Sequence, residues 1–107
     1  MNAPDQPAQA FDAIAMEVFS NRLLSITEDM NNTLVRSSFS TNIKERRDCS
    51  TALFDEAGRM VVQAEHIPVH LGSMPASVAA VVTALGDSLG PGEQAVVNDP
   101  YDGGTHL

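Results

Sequence analysis

The sequence has little of several things that would fix its class at once. It holds one cysteine, Cys49, so no disulfide can form within the chain, which fits a reducing cytosol. It holds 6 Lys and Arg against 14 Asp and Glu, a net charge of −8. Nucleic acids and anionic membranes call for clustered cations, so neither is the expected partner. No basic stretch followed by an apolar core opens the chain, so no signal peptide is legible. No apolar run approaches the roughly 18–20 residues of a membrane span. The expected location is therefore the cytoplasm. Neither the phosphate-cradling G-x-x-x-x-G-K-[ST] loop nor a dinucleotide fingerprint occurs.

What is present is 107 residues, 43% of them apolar, enough for one small domain with a modest core. Residues 1–10 carry Pro4 and Pro7 and little to bury, and read as a disordered tail ahead of a domain over residues 11–107. From Phe11 to about Ser37, Phe11, Ala15, Phe19, Leu23, Ile26, Met30 and Leu34 recur at three- and four-residue steps. Glu17, Ser20, Asn21, Ser25, Glu28, Asn31 and Asn32 fall on the other side. That spacing predicts a long amphipathic helix, capped by Asp12, with the apolar stripe facing the core. Residues 38–48 are polar and read as a solvated loop. Cys49–Phe54 and Met60–Ala64 are β-prone, and the D-E-A-G-R between them supplies turn chemistry, with Gly58 suited to a positive φ, so the pair predicts a β-hairpin.

Residues 66–72 read as extended around Pro68. A second helix then starts with Ser73 as cap and Pro75 in its first turn, its stripe formed by Val78, Val82, Leu85 and Leu89. Gly90-Pro91-Gly92 breaks the chain, and Gln94–Val97 reads as a short strand. The expected fold class is α+β: long helix, hairpin, second helix, short strand.

Chemistry concentrates in the closing stretch N-D-P-Y-D-G-G-T-H-L. Asp99, Asp102 and His106 are donors that a hard or borderline divalent metal accepts, and Gly103-Gly104 allows close backbone approach. An ordinary Asx-Pro turn with a Gly-Gly kink would explain the same residues. His66 and His70 lie four apart. In extended chain that is about 13 Å, too far for one ion to hold both. Ser73 is a helix cap sooner than a nucleophile, and Cys49 is a small buried hydrophobe sooner than a reactive thiol.

Three stretches together go further. T-N-I-K-E-R-R-D-C-S-T-A-L-F-D (Thr41–Asp55), H-I-P-V-H-L-G-S-M-P (His66–Pro75) and N-D-P-Y-D-G-G-T-H-L (Asn98–Leu107) resemble the hydantoinase B/oxoprolinase family, and E-V-F-S-N-R-L (Glu17–Leu23) fits as well. That family includes the B subunit of ATP-dependent N-methylhydantoinases, the second half of 5-oxoprolinase and the α subunit of acetone carboxylase. The resemblance covers about Phe11 to Leu107 and implies the N-terminal portion of a larger mixed α/β enzyme. It implies a divalent metal, Mn or Zn, with a glutamate matching Glu45 and a histidine matching His106 among its ligands. In the family the last motif continues as H-L-P-D, and that aspartate and a later histidine supply the rest. This chain then carries half a set of ligands and should bind metal weakly on its own. The implied catalytic, substrate-side residues are Asp99, Asp102 and His70. The implied activity is ATP-dependent hydrolysis of a cyclic amide, of hydantoin or 5-oxoproline type, with ATP held mainly by an A-type partner subunit in a hetero-oligomer. The alternatives are a ketone carboxylase subunit, of acetone type, or a non-catalytic truncated remnant or interaction module.

Overall fold

The computed structural model describes residues 12–64 and 68–104. The expected tail over residues 1–10 lies outside them, as do His66 and His106. Helix α1 spans Ala13–Ser37. It starts where the carboxylate of Asp12 can accept two otherwise orphaned amides, from Ile14 at 3.0 Å and Ala15 at 3.2 Å. It ends at Ser38, whose Oγ donates to the Val35 carbonyl at 2.8 Å, with Arg36 placed to complement the negative end of the helix.

The face that α1 buries differs from the one its apolar spacing predicts. Phe19, Ile26, Met30 and Leu34 stay exposed, while Thr27, Asn31 and Val35 are buried. The buried stripe keeps helical spacing, four residues at a time from half-buried Leu23, but it is rotated by one residue towards the polar side. The cause lies in what packs there. Thr51 Oγ1 donates to the Thr27 carbonyl at 2.6 Å, and the Cys49 thiol donates to Asn31 Oδ1 at 3.5 Å. Both contacts fall on the polar side of α1, so the hairpin and the small Ala64 cover Thr27 and Asn31, while the Thr27 hydroxyl bonds back within its own helix, to the Leu24 carbonyl at 2.7 Å.

That hairpin is β1 (Thr51–Phe54) with β2 (Met60–Ala64), antiparallel, Thr51 facing Ala64 and Leu53 facing Val62. The register slips between Leu53 and Phe54, so that Phe54 faces Met60. The turn is built by Asp55. Its Oδ1 accepts from the amides of Ala57 and Arg59, its Oδ2 pairs with Arg59 Nε at 2.8 Å, and Gly58 takes φ +78° as the sequence predicts.

Between α1 and β1 the expected solvated loop contains a single helical turn, α2 (Thr41–Lys44). Helix α3 runs Pro68–Leu85, five residues earlier than the cap expected at Ser73. Pro68 suits the first turn of a helix, where a missing amide leaves no bond unmade. Ser73 is therefore interior, and its hydroxyl donates back to the His70 carbonyl at 3.3 Å. Pro75 also sits inside α3, where it has no amide to give to Leu71. The short strand expected at Gln94–Val97 is absent among the described residues. The sheet holds β1 and β2 alone, and Val96 is 95% exposed with no strand edge to pair with.

The molecule is drawn out: its radius of gyration is 17.8 Å, against about 13 Å for a compact chain of this length. Val35, Cys49 and Ala64 are the buried apolar residues among those described.

Candidate functional site

The most connected polar chemistry lies where the chain leaves α2 and enters β1. Arg47 adopts φ +55°, a left-handed conformation that costs a residue with a Cβ roughly 1–3 kcal/mol. Around it the chain is pinned by backbone bonds from Arg47 to Ile43, Asp48 to Asn42 and Cys49 to Arg47, at 3.1, 2.9 and 2.8 Å. The turn delivers Asp48, Cys49 and Ser50 onto the start of α3. There Ser50 Oγ lies 2.7 Å from His70 Nδ1, and Asp48 Oδ1 lies 3.6 Å from His70 Nε2. His70 is 7% exposed. Beside it Cys49, Ser50, His70 and Met74 line a cavity of about 230 Å³.

Cys49 faces the other way, towards Asn31. Burial pushes its thiol pKa above the ordinary value, and the Asp48 carboxylate adds to the rise, partly offset by Arg47. This is a protonated, poorly nucleophilic thiol, in keeping with the small buried hydrophobe expected from the sequence. Asn31 is fully buried, and its Nδ2 has no hydrogen-bond partner among the described residues.

The closing loop is a second cluster. Asp99 is its builder: Oδ1 accepts from the Tyr101 amide at 2.9 Å, and the carbonyl accepts from Asp102 at 3.1 Å and Gly104 at 2.6 Å. This Asx turn is the structural alternative that the sequence left open. Gly103 sits at φ +87° against α3. A Cβ there would lie 2.5 Å from that of Ala80, so only glycine lets the loop approach so closely. The Ser77 hydroxyl donates to the Gly103 carbonyl and fastens the contact.

The residues named from the sequence are thus separated. Glu45 closes α2, exposed, and its carboxylate has no partner among the described residues. Asp99 and Asp102 share one exposed turn, and His70 belongs with Asp48 and Ser50. No hydrogen bond or ion pair among the described residues joins Glu45 to Asp99 or Asp102. His106 lies outside the described residues. Among those described, no three His, Cys, Asp or Glu side chains gather closely enough to hold a metal ion. Ser50 and Asp48 were not singled out by sequence. Their only signal was position: two apart in extended chain, they point the same way.

The comparisons with known proteins agree on one family. The Hydantoinase B/oxoprolinase family profile matches residues 12–107. 5-Oxoprolinase 1 of Arabidopsis thaliana and 5-oxoprolinase of Saccharomyces cerevisiae are each 45% identical over 96 residues, 90% of this chain and 8% of theirs. Caprolactamase subunit beta of Pseudomonas jessenii is 33% identical over 96 residues, 90% of this chain and 16% of its own length. No solved structure matches. The chain spans less than a tenth of the 5-oxoprolinases it matches, and across residues 12–107 it belongs to the hydantoinase B/oxoprolinase family.

Proposed function

We propose that this chain is the N-terminal part of the B-type component of an ATP-dependent cyclic-amide hydrolase, of hydantoin or 5-oxoproline type. The observation that carries the reading is the 45% identity to 5-oxoprolinases over nine-tenths of the chain. The similarity to a caprolactamase subunit supports both a cyclic-amide substrate and a partner subunit, which in this reading is an A-type chain that holds ATP.

Glu45 and His106 are the proposed metal ligands. The chemistry of Glu45 suits the role: an exposed carboxylate, unpaired among the described residues, at the end of a turn pinned by backbone bonds. The described residues alone do not complete a metal shell. A bound Mn²⁺ or Zn²⁺ would polarise an oxygen or position water. This chain's own part is to hold residues 45–50 rigidly through the Arg47 turn, and to set Asp102 on the Asp99 turn as a substrate-side carboxylate. His70 is proposed as a substrate-side residue on the other cluster.

The test is 5-oxoproline and hydantoin cleavage coupled to ATP hydrolysis by the intact protein with its partner subunit, and metal affinity in parallel. Glu45→Gln should weaken Mn²⁺ or Zn²⁺ binding by tenfold or more and lower turnover with it. Undiminished metal affinity in Glu45→Gln would remove Glu45 as a ligand. An intact complex that cleaves no cyclic amide would end the reading.

A further inference from the structure

We propose that Ser50 is a nucleophile for acyl transfer, with His70 as its base and Asp48 as the residue that positions the imidazole. The proposal stands on the cluster itself and uses neither Glu45 nor His106.

Three observations converge. The serine oxygen and imidazole nitrogen are 2.7 Å apart, a hydrogen bond short enough for proton transfer. The opposite ring nitrogen faces the Asp48 carboxylate at 3.6 Å. That charge favours the proton on Nε2, which leaves the Nδ1 lone pair to accept from the Ser50 hydroxyl. The arrangement of nucleophile, base and orienting carboxylate is recognised by roles and not by chain order. The third observation is space. The serine and histidine open on the cavity of about 230 Å³ whose other walls are Cys49 and Met74. A volume below the usual range for drug-sized ligands, with the Met74 thioether on its wall and the Asp48 carboxylate close to His70, fits a small uncharged acyl compound, an ester or amide.

The step balances within these groups. Ser50 Oγ adds to the carbonyl carbon as its proton passes to His70 Nδ1. The bond from that carbon to the leaving oxygen or nitrogen breaks, and Nδ1–H returns the proton to it. Water, deprotonated by the same nitrogen, then cleaves the acyl-serine ester, which releases the carboxylic acid and restores Ser50.

A hydroxyl–imidazole bond that only ties α3 to the hairpin would share this geometry but not its reactivity. The experiment is labelling of the intact protein with an alkyl fluorophosphonate, followed by peptide mass spectrometry. Attack by Ser50 expels fluoride and leaves a stable phosphonyl ester. The expected result is an adduct on Ser50, absent in Ser50→Ala and formed at least about a hundredfold more slowly in His70→Gln. Asp48→Asn should slow labelling about tenfold and reduce the Nε2–H tautomer read from imidazole ¹⁵N shifts, with circular dichroism unchanged. A wild-type protein unlabelled at Ser50 would overturn the proposal, as would labelling indifferent to His70→Gln. If His70→Gln does not fold, the Asp48→Asn rate decides, and an unchanged rate counts against the proposal.

Discussion

Residues 13–64 and residues 68–104 are held together by opposite means. In the first part the hairpin is tied to α1 through polar groups: Thr51 to the Thr27 backbone, Cys49 to Asn31. The second part has no charged residue from Pro68 to Leu85, yet Val69, Leu71, Val82 and Leu85 are 43–62% exposed. A helix that is apolar on several sides belongs in the interior of a larger body. α3 reaches the first part through His70 and through Val78, which lies beside the Gly58 turn. The difference teaches that where the hairpin makes its contacts, and not the apolar spacing of α1, decides which surface is buried here. The bare apolar faces of α1 and α3 suit a chain that is a small share of its relatives' length.

The largest effect should come from overfilling the first part. Ala64 is 1% exposed and faces Thr51 across the hairpin. Ala64→Leu should destabilise the α1–hairpin unit by about 1–3 kcal/mol, read as a lowered urea midpoint. If the two parts are held independently, hydrogen exchange in residues 99–104 should stay as it was. A matching loss of protection there would join them into one cooperative unit.

The second test strikes the other part. Gly103→Val places a β-branched side chain at φ +87° and a Cβ 2.5 Å from that of Ala80. The loop should come off α3, with protection at the Asp102 and Gly104 amides lowered about tenfold or more, and α1 protection unchanged. Retained loop protection would show that the turn of Asp99, and not the approach of Gly103, holds the loop.

The same contrast explains how far the sequence could be read. Asp12 as cap, the two strands and the Gly58 turn were legible because each is set by chemistry local to a few residues. The closing turn was legible too, as one of two readings of Asp99. The stripe on α1 was misread because Thr27 and Asn31 are buried by partners twenty or so residues away, which no periodicity within α1 reveals. The start of α3 was misplaced because Ser73 and Pro75 make as good a beginning in sequence as Pro68 does, and the tie from His70 to Ser50 is a long-range one. Of the candidate residues, His70 was named from the sequence, while its neighbours Ser50 and Asp48 were not, because the chain brings them together across about twenty residues. Glu45 was named by resemblance to the family.

Cys49 offers a finer probe of the polar core. Its thiol pKa is raised chiefly by burial, so at pH 8 its thiolate fraction should fall below that of an exposed cysteine and disulfide exchange with a chromogenic reagent should be slower by about tenfold or more. The sign on stability follows. The fold favours the protonated thiol, so this contribution is fully present below the unfolded pKa, near the ordinary value of 9.0, and is lost as pH rises through the higher folded value. Asp48→Asn removes one cause of the rise and should speed the reaction, while Arg47→Gln should slow it. Rapid reaction in the native protein would mean that the Asn31–Cys49 contact opens freely and that the first part is looser than its burial indicates.

The smallest effect belongs to the exposed turn that closes the hairpin. The Asp55 carboxyl is held below its ordinary value of 3.8, first by the Arg59 amide, then by the Arg59 side chain and the Ala57 amide. The ionised form is the one these donors favour. The contribution is therefore present above pH 3.8 and fades as pH falls through the lower folded value. Asp55→Asn keeps an acceptor but loses the charge, so it should flatten that acid dependence and lower the midpoint of thermal unfolding slightly at neutral pH. Added salt should shrink the difference between wild type and variant, because an exposed ion pair is screened. The turn also carries Gly58 against Val78, so an Asp55→Asn change that loosened α3 as well as the hairpin would show that the contact between the two parts depends on this turn. If only the hairpin amides lose protection, α3 is held by His70 with Ser50 and Asp48, independently of the Asp55 turn.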